Sequence, residues 1–96
     1  MKKIISYLGF ARKSNNIIIG QSILKTNKKP VYLIMVCNTA SANLKDLARN
    51  IADRHKCNVI ITAPLLSELT NLDNVKIIGI TDANLSQAII SSYQEN

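Results

Sequence analysis

An uninterrupted apolar run at residues 31–37 (VYLIMVC) is the feature that most limits what this chain can fold into. A strand that is hydrophobic on both sides must be covered on both faces, as happens when helices pack on each side of a sheet. Shorter runs rich in Val and Ile at residues 17–19, 58–62 and 75–80 also have strand length. The sequence therefore predicts a sheet of short, buried strands.

The segments around these strands carry apolar residues at helical spacing. The clearest stripe repeats at i, i+3, i+4, i+7 and i+8, and consists of Leu44, Leu47, Ala48, Ile51 and Ala52. Helices are predicted at residues 3–13, 21–28 and 64–72, after a cap at Thr39 or Ser41, and after a cap at Thr81 or Asp82. Helices that alternate with short apolar strands indicate an α/β fold, a three-layer α/β/α sandwich, and residues 1–96 have the length of a single domain.

Charge is divided unevenly along the sequence. Eight of the twelve basic residues and none of the six acidic residues precede Asp46, so residues 1–45 are strongly basic and the remainder is slightly acidic. A one-sided basic surface is typical of a protein that binds a polyanion. Lysines that only solvate an exposed surface would give the same composition. The segregation into one half favours nucleic acid.

Few residues offer catalytic chemistry. Asp46 and Asp53 share the outer face of one predicted helix with basic neighbours, where Arg49 lies four residues before Asp53 and can pair with it. His55 falls at a helix end, where the helix dipole explains it as well as catalysis does. The three glycines are isolated, so no phosphate-binding loop is formed. We predict that the chain is not an enzyme and uses no cofactor.

The two cysteines, Cys37 and Cys57, each adjoin an apolar run, which is typical of free core thiols in a reducing compartment. A zinc site that adds His55 would lack a fourth ligand and a CxxC spacing, so no metal is predicted. Arg12 and Lys13 interrupt the first apolar stretch too early for a signal peptide, and no run is long enough to span a bilayer. We expect a cytoplasmic protein without a membrane partner.

The candidate site is the segment at residues 12–25, in which Gly20 lies between a predicted strand and a predicted helix. A helix N-terminus there would present free N–H groups and a positive dipole end to phosphate. An ordinary glycine turn would have the same local sequence. The candidate RNA contacts in this segment and just after it are Lys13, Asn16, Gly20, Gln21, Ser22, Lys25, Lys28 and Lys29.

Four short motifs occur in order along nearly the whole chain: LGFARK at residues 8–13, IIIG at 17–20, TASAN at 39–43 and ITD at 80–82. Together they resemble the L-seven-Ae/L-thirty-e family of ribosomal and RNA-kink-binding proteins, and most of all its small bacterial YlxQ/YbxF-type members. The resemblance implies an L-thirty-e-like sandwich with a mixed four-stranded sheet. It also implies binding to kink-turn-like RNA, a sharply bent duplex with sheared G·A pairs and an extruded nucleotide.

The same resemblance implies two gripping surfaces. The first is the helix that begins at Gly20. The second is a loop whose apolar groups would pack against the extruded nucleotide, formed by Thr62, Ala63, Pro64 and Leu65.

The family pattern Gly-x-Asn-Glu-x-x-Lys is altered here, since its Asn, Glu and Lys positions hold Ser22, Ile23 and Thr26. Ile23 cannot accept a hydrogen bond from a guanine edge. Two predictions therefore stand. The first is a monomeric, non-catalytic RNA-binding protein, ribosomal or ribosome-associated, that recognises kink-turn-like or bent structured RNA. The alternative is an interaction module of the same fold, anchored to rRNA or to a protein partner without kink-turn specificity.

Overall fold

The computed structural model describes residues 2–63 and 66–94. Helices and strands alternate along this part of the chain, which confirms the α-β-α-β-α-β-α-β-α order predicted from the sequence. In chain order the elements are α1 (Lys2–Lys13), β1 (Ile17–Ile19), α2 (Gln21–Thr26), β2 (Leu33–Cys37), α3 (Ala42–His55), β3 (Asn58–Thr62), α4 (Leu66–Thr70), β4 (Ile77–Ile80) and α5 (Ala83–Gln94).

β4 lies inside the sheet although it comes last among the strands in sequence. It pairs antiparallel with β1 on one side and with β2 on the other, and β2 pairs in parallel with β3, so the strand order is β1-β4-β2-β3. The sheet is therefore mixed and four-stranded, as expected. β1, β2 and β3 all run in one direction. β2 and β4 occupy the centre, where every residue of both strands is buried.

Helices cover both faces of the sheet, which makes the fold a three-layer α/β/α sandwich. Leu33 and Met35 of β2 point into a core beneath α1, α4 and α5. Ile34 and Val36 point into a second core beneath α2 and α3. Because successive side chains of a strand face opposite sides, the continuous apolar run of β2 fills both cores. Within residues 2–63 and 66–94, no helix is long and apolar enough to cross a membrane.

Side-chain caps fix the starts of two helices. The Ser41 hydroxyl accepts a hydrogen bond from the Leu44 N–H at 3.1 Å before α3, and the Asp82 carboxylate accepts one from the Leu85 N–H at 2.8 Å before α5. Of the two capping residues predicted at each start, the second is therefore the one that caps. Each cap satisfies a backbone donor that the first helical turn leaves without a partner.

α2 is shorter than the helix predicted at residues 21–28, because the chain turns at Asn27 before it reaches the proline. Asn27 has extended backbone, and its side chain bonds both the carbonyl and the N–H of Lys29 at 2.7 and 3.2 Å. An Asn side chain that bonds the backbone two residues ahead forms a local turn that competes with helix. The helix therefore stops at Thr26.

Other predicted boundaries also moved. β2 and β4 each begin two residues after their predicted starts. The helix predicted at residues 64–72 ends at Thr70, because Asn71 adopts left-handed backbone with φ 57°. Residues 64 and 65, where this helix was predicted to begin, lie outside the described residues.

The charged face of α3 differs from the prediction in one pair. Arg49 bonds the Asp46 carboxylate at 3.1 Å, so the predicted pairing with Asp53 is wrong. Both side chains of the pair are exposed, and such ion pairs contribute little to stability. The charged face of α3 is therefore a solvated helix surface.

The hydroxyl of Tyr93 in α5 covers part of the open side of β3, which is an edge strand. It donates to the Ile61 carbonyl at 3.3 Å and accepts from the Ala63 N–H at 2.8 Å. These two backbone groups lie on either side of Thr62, where a neighbouring parallel strand would bond them. One phenolic oxygen thus makes the two hydrogen bonds that the main chain of a further strand would make.

Gly79 lets α2 pack closely on β4. A Cβ at this position would lie 2.7 Å from Leu24 Cδ2 and 3.3 Å from Val31 Cγ1. Leu24 is the buried residue of α2, so it anchors that helix to the sheet. The missing side chain at Gly79 therefore sets how near α2 can approach.

We expect Gly79→Ala to lower the free energy of unfolding by about 1–3 kcal/mol, because the added methyl group overlaps Leu24. Gly9→Ala is the matched control, since nothing lies within 4 Å of a Cβ there. On a helix surface that change should raise the free energy of unfolding by about 0.5–1 kcal/mol. Urea denaturation measures the free energy of unfolding of both variants. If Gly79→Ala were as stable as Gly9→Ala, the close packing of α2 on β4 would be contradicted.

Candidate nucleic-acid interface

Segments that are far apart in sequence meet at one end of the sheet. β1, β2 and β3 run in the same direction, so their carboxyl ends lie together, beside the residue that precedes β4. Ligands of open α/β sheets commonly bind outside the carboxyl ends of strands. We call this surface the carboxyl edge, and it consists of Gly20, Gln21, Ser22, Asn38, Thr39, Ala63 and Lys76.

Backbone hydrogen bonds join the first part of the carboxyl edge to β4. The Gly20 N–H donates to the Ile77 carbonyl at 3.1 Å, and the Cys37 N–H donates to the Lys76 carbonyl at 2.8 Å. β4 therefore holds the end of β1 and the end of β2 at fixed positions on either side of it.

Asn38 joins the end of β2 to the end of β3. Its N–H donates to the Thr62 carbonyl at 3.2 Å, and its side-chain amide donates to the Ala63 carbonyl at 3.1 Å. These bonds place the loop after β3 on the same edge as Gly20. Gly20, where the first implied surface begins, and Ala63, from the second, are thus brought to one end of the sheet.

Lys76 adds a positive charge to this edge. Its ammonium group donates to the Thr39 hydroxyl at 2.7 Å, and both side chains are exposed. The charge is held near the middle of the edge, since β4 lies between β1 and β2. A fixed ammonium and an exposed hydroxyl are groups that commonly contact phosphate oxygens.

Gly20 turns the chain from β1 into α2 with φ 96° and ψ 149°. This is a backbone region that only glycine adopts readily. No side chain caps α2, so the N–H groups of its first turn are without a side-chain acceptor. Gln21 and Ser22 are exposed beside them. The start of α2 offers polar donors at the carboxyl edge.

The next turn of α2 is less polar. Ile23 presents an apolar side chain that is 60% exposed. Thr26 donates its hydroxyl back to the Ser22 carbonyl at 3.3 Å, so it is engaged within the helix. Lys25 is exposed in the last turn. The family's Glu position therefore presents the apolar side chain of Ile23. At the family's Lys position, the hydroxyl of Thr26 bonds the backbone of its own helix.

Two of the predicted contacts, Lys13 and Asn16, lie at the opposite end of β1 from Gly20. Asn16 precedes β1, and its carbonyl accepts from the Thr81 N–H at 2.9 Å, beyond the last residue of β4. Lys13 is the last residue of α1, three residues before Asn16. The structure does not bring this pair to the carboxyl edge, because β1 separates them from it.

Lys28 and Lys29 are exposed in the connection from α2 to β2. Residues just after them approach the far end of the sheet, where the Tyr32 N–H donates to the Ile80 carbonyl at 2.8 Å. This pair therefore also lies away from the carboxyl edge. The basic residues of the first half are spread over both ends of the molecule.

The loop after β3 differs from the expectation at Thr62. Its side chain is fully buried and cannot line a surface, because it faces the core beneath α4 in register with Cys37. Ala63 is exposed at the edge, as a contact would require. Pro64 and Leu65, the remaining predicted contacts, lie outside the described residues.

Sequence reasoning missed Asn38, Thr39 and Lys76. A polar pair directly after a buried strand was a usable signal for the first two, since residues at the carboxyl ends of strands form sites in α/β folds. Lys76 carried no such signal. It reaches the edge only because β4 inserts between β1 and β2.

The cysteines are both free and differ in environment. Burial raises the pKa of the half-buried Cys57 thiol. Burial also raises the pKa of Cys37, but hydrogen bonds from Thr39 and the charge of Lys76 outweigh it and bring that pKa below its ordinary value. In residues 2–63 and 66–94, no three His, Cys, Asp or Glu side chains are grouped to hold a metal ion.

No protein-family model matches this chain, and no curated protein matches it. Among solved structures, a protein of unknown function from Bacillus halodurans is similar, with a TM-score of 0.77 at 18% sequence identity. The likeness covers 93% of this chain and 94% of that chain. At that identity it shows a shared fold over nearly the whole length.

We expect Gly20→Ala to lower the free energy of unfolding by about 1–3 kcal/mol, because alanine is strained at the backbone angles of this position. No atom lies within 4 Å of a Cβ there, so crowding does not contribute. Urea denaturation gives the stability, and amide chemical shifts of Gln21 and Ser22 report the start of α2. Wild-type stability would show that the turn does not need glycine.

Proposed function

We propose that this chain is a non-catalytic RNA-binding protein that grips bent or kink-turn-like structured RNA with its carboxyl edge. The observation that carries the proposal is the convergence of the α2 start, the polar end of β2, the Ala63 loop and Lys76 on one side of the sheet. Two of the four motifs that resemble the L-seven-Ae/L-thirty-e family, IIIG at residues 17–20 and TASAN at 39–43, reach this side of the sheet. The RNA would be ribosomal or ribosome-associated, in the cytoplasm.

The charge of the chain supports a polyanionic ligand. The formal net charge is +6, and the basic residues before Asp46 are exposed apart from one half-buried lysine on α3. Lysines spread over the surface would attract RNA from many directions. The hydrogen-bond donors of the carboxyl edge would then contact the RNA closely at one place. Long-range attraction of this kind speeds association, while the fixed donors set the orientation.

The chemistry of the edge suits the RNA backbone better than base edges. The N–H groups of the first turn of α2 and the ammonium of Lys76 can donate to phosphate oxygens. Thr39 and Ser22 can reach sugar hydroxyls. Recognition of irregular RNA through shape and backbone is common among RNA-binding proteins.

A second candidate is an interaction module of the same fold, anchored to rRNA or to a protein without kink-turn specificity. It is favoured by α2, where Ile23 is exposed at the family's Glu position and Thr26 bonds its own helix. An exposed isoleucine gives no polar readout of a sheared G·A pair, and it can pack on a protein instead.

The first test compares two variants, each of which removes one positive charge, at opposite ends of the sheet. We expect Lys76→Gln to weaken RNA binding and to reduce the salt slope of the logarithmic affinity by about 1, because one phosphate contact is lost. Fluorescence anisotropy with a labelled structured RNA at several salt concentrations measures both quantities.

Lys13→Gln is the matched control for this test, since it removes the same charge at the opposite end of β1. Its binding should stay near that of the unmodified chain. If the two variants weaken binding equally, the protein attracts RNA by its overall charge, and the carboxyl edge is not the interface.

The second test separates the two candidates. Kink-turn RNA is compared with the same RNA in which the G·A pairs are replaced, each with excess plain duplex present. A preference for the intact kink of at least about tenfold that persists at higher salt would support kink recognition, since shape readout is less salt-dependent than polyanion binding. Equal, steeply salt-dependent binding would favour the general rRNA anchor, and no binding to either RNA would favour a protein partner.

A further inference from the structure

The sulfur of Cys37 lies at the end of β2 between a hydroxyl group and the side-chain oxygen of Asn38, which is 3.8 Å from Sγ. Its Sγ lies 3.1 Å from the Thr39 hydroxyl, which in turn lies 2.7 Å from the Lys76 ammonium. Since Lys76 donates to Thr39, the hydroxyl hydrogen of Thr39 is free to point at the sulfur. The backbone of Thr39 and of Leu66, the first residue of α4, also lowers the pKa of this thiol.

These groups favour the thiolate over the thiol. A sulfur anion gains from each donor and from the nearby positive charge. The pKa of Cys37 is accordingly below its ordinary value even though burial alone would raise it. Structural core cysteines have the opposite tendency, as Cys57 shows.

A second, independent feature is the hydroxyl of Thr62, which is buried and has no hydrogen-bond partner. Thr62 is the register partner of Cys37 on the adjacent strand, so both side chains face the same side of the sheet one strand spacing apart. A buried polar group without a partner is costly and requires an explanation. An oxygen atom added to Cys37 Sγ would lie beside this hydroxyl and give it a partner.

We propose that Cys37 is a modification site for small hydroperoxides, at which the thiolate is oxidised to a sulfenic acid held by Thr39 and Thr62. The sulfur attacks one peroxide oxygen, the S–O bond forms as the O–O bond breaks, and hydroxide leaves. Sulfur loses two electrons and the peroxide gains them. The inference does not depend on RNA binding, since every group it uses is present in the free chain.

Access to the sulfur is limited to small reagents. Cys37 is only 1% exposed, but the side chains that bond or flank it, Asn38, Thr39 and Lys76, are all exposed. The sulfur is therefore one side chain below the surface. Hydrogen peroxide, which is little larger than water, can reach it when one of these side chains moves, whereas bulky reagents are excluded.

The chain contains its own comparison thiol. The intact protein is treated with hydrogen peroxide for set times, the excess peroxide is removed, and the chain is then unfolded in the presence of dimedone, which traps sulfenic acids. The adduct on each cysteine is measured by peptide mass spectrometry. We expect Cys37 to form the adduct at least about tenfold faster than Cys57, because the thiolate is the reactive form. Equal rates of oxidation at the two cysteines, or oxidation of Cys37 only when the chain is unfolded before peroxide is added, would overturn the proposal.

Two variants test the roles assigned to the hydroxyl groups of Thr39 and Thr62. Thr39→Val should slow adduct formation at Cys37 by at least about threefold, because a donor to the thiolate is lost. Thr62→Val should leave the rate at which the Cys37 thiol is lost unchanged but cut the yield of trapped sulfenic acid, because the sulfenic acid would consume a second peroxide and proceed to sulfinic acid.

Thr26→Val is the control, since its hydroxyl bonds only the backbone of α2. It should change neither the rate nor the yield. Denaturation curves exclude a structural cause: removing an unpaired buried hydroxyl in Thr62→Val should not destabilise the fold. If Thr62→Val traps as much sulfenic acid as the unmodified chain, the role assigned to that hydroxyl is wrong.

Discussion

The structure depends on the hydrogen bonding of β4 to a strand on each side of it. The same strand bonds β1 at Gly20 and β2 at Cys37, and every one of its residues is buried between two helix layers. Because it runs against its neighbours, the ends of β1, β2 and β3 meet at one edge. Without β4 between β1 and β2, the Gly20 turn would not be joined to the strands that lead to Ala63, and Lys76 would not lie between them.

The fold was largely predictable because its signals are local. The apolar run of β2, the shorter strands and the stripe of α3 each follow from residue periodicity, and two strands were placed to the residue. The end of α2 was not, since it depends on the side chain of Asn27 bonding the backbone of Lys29. Propensity and the following proline suggested a longer helix, and a specific turn overrode both.

The site was less predictable because it is made of contacts between strands. Gly20 and Ala63 were recognised from local pattern and from resemblance, but strand order decides which residues join them. Lys13 and Lys28 looked equivalent to other lysines in sequence, and they lie at the other end. Thr39 and Lys76 were missed for the same reason. The two residues are linked: the Lys76 ammonium donates to the Thr39 hydroxyl and can also donate to an anionic ligand, while the Thr39 hydroxyl can donate to the Cys37 sulfur.

The phenolic oxygen of Tyr93 has a consequence for how the molecule meets other copies of itself. Exposed edge strands are templates for lateral growth into larger sheets. Here the carboxyl-terminal half of β3 has its outward carbonyl and N–H already engaged. A further strand could pair with this part of β3 only if the Tyr93 hydroxyl gave up these two hydrogen bonds. The last helix thus occupies backbone groups on the β3 edge of the sheet that another chain would need for pairing.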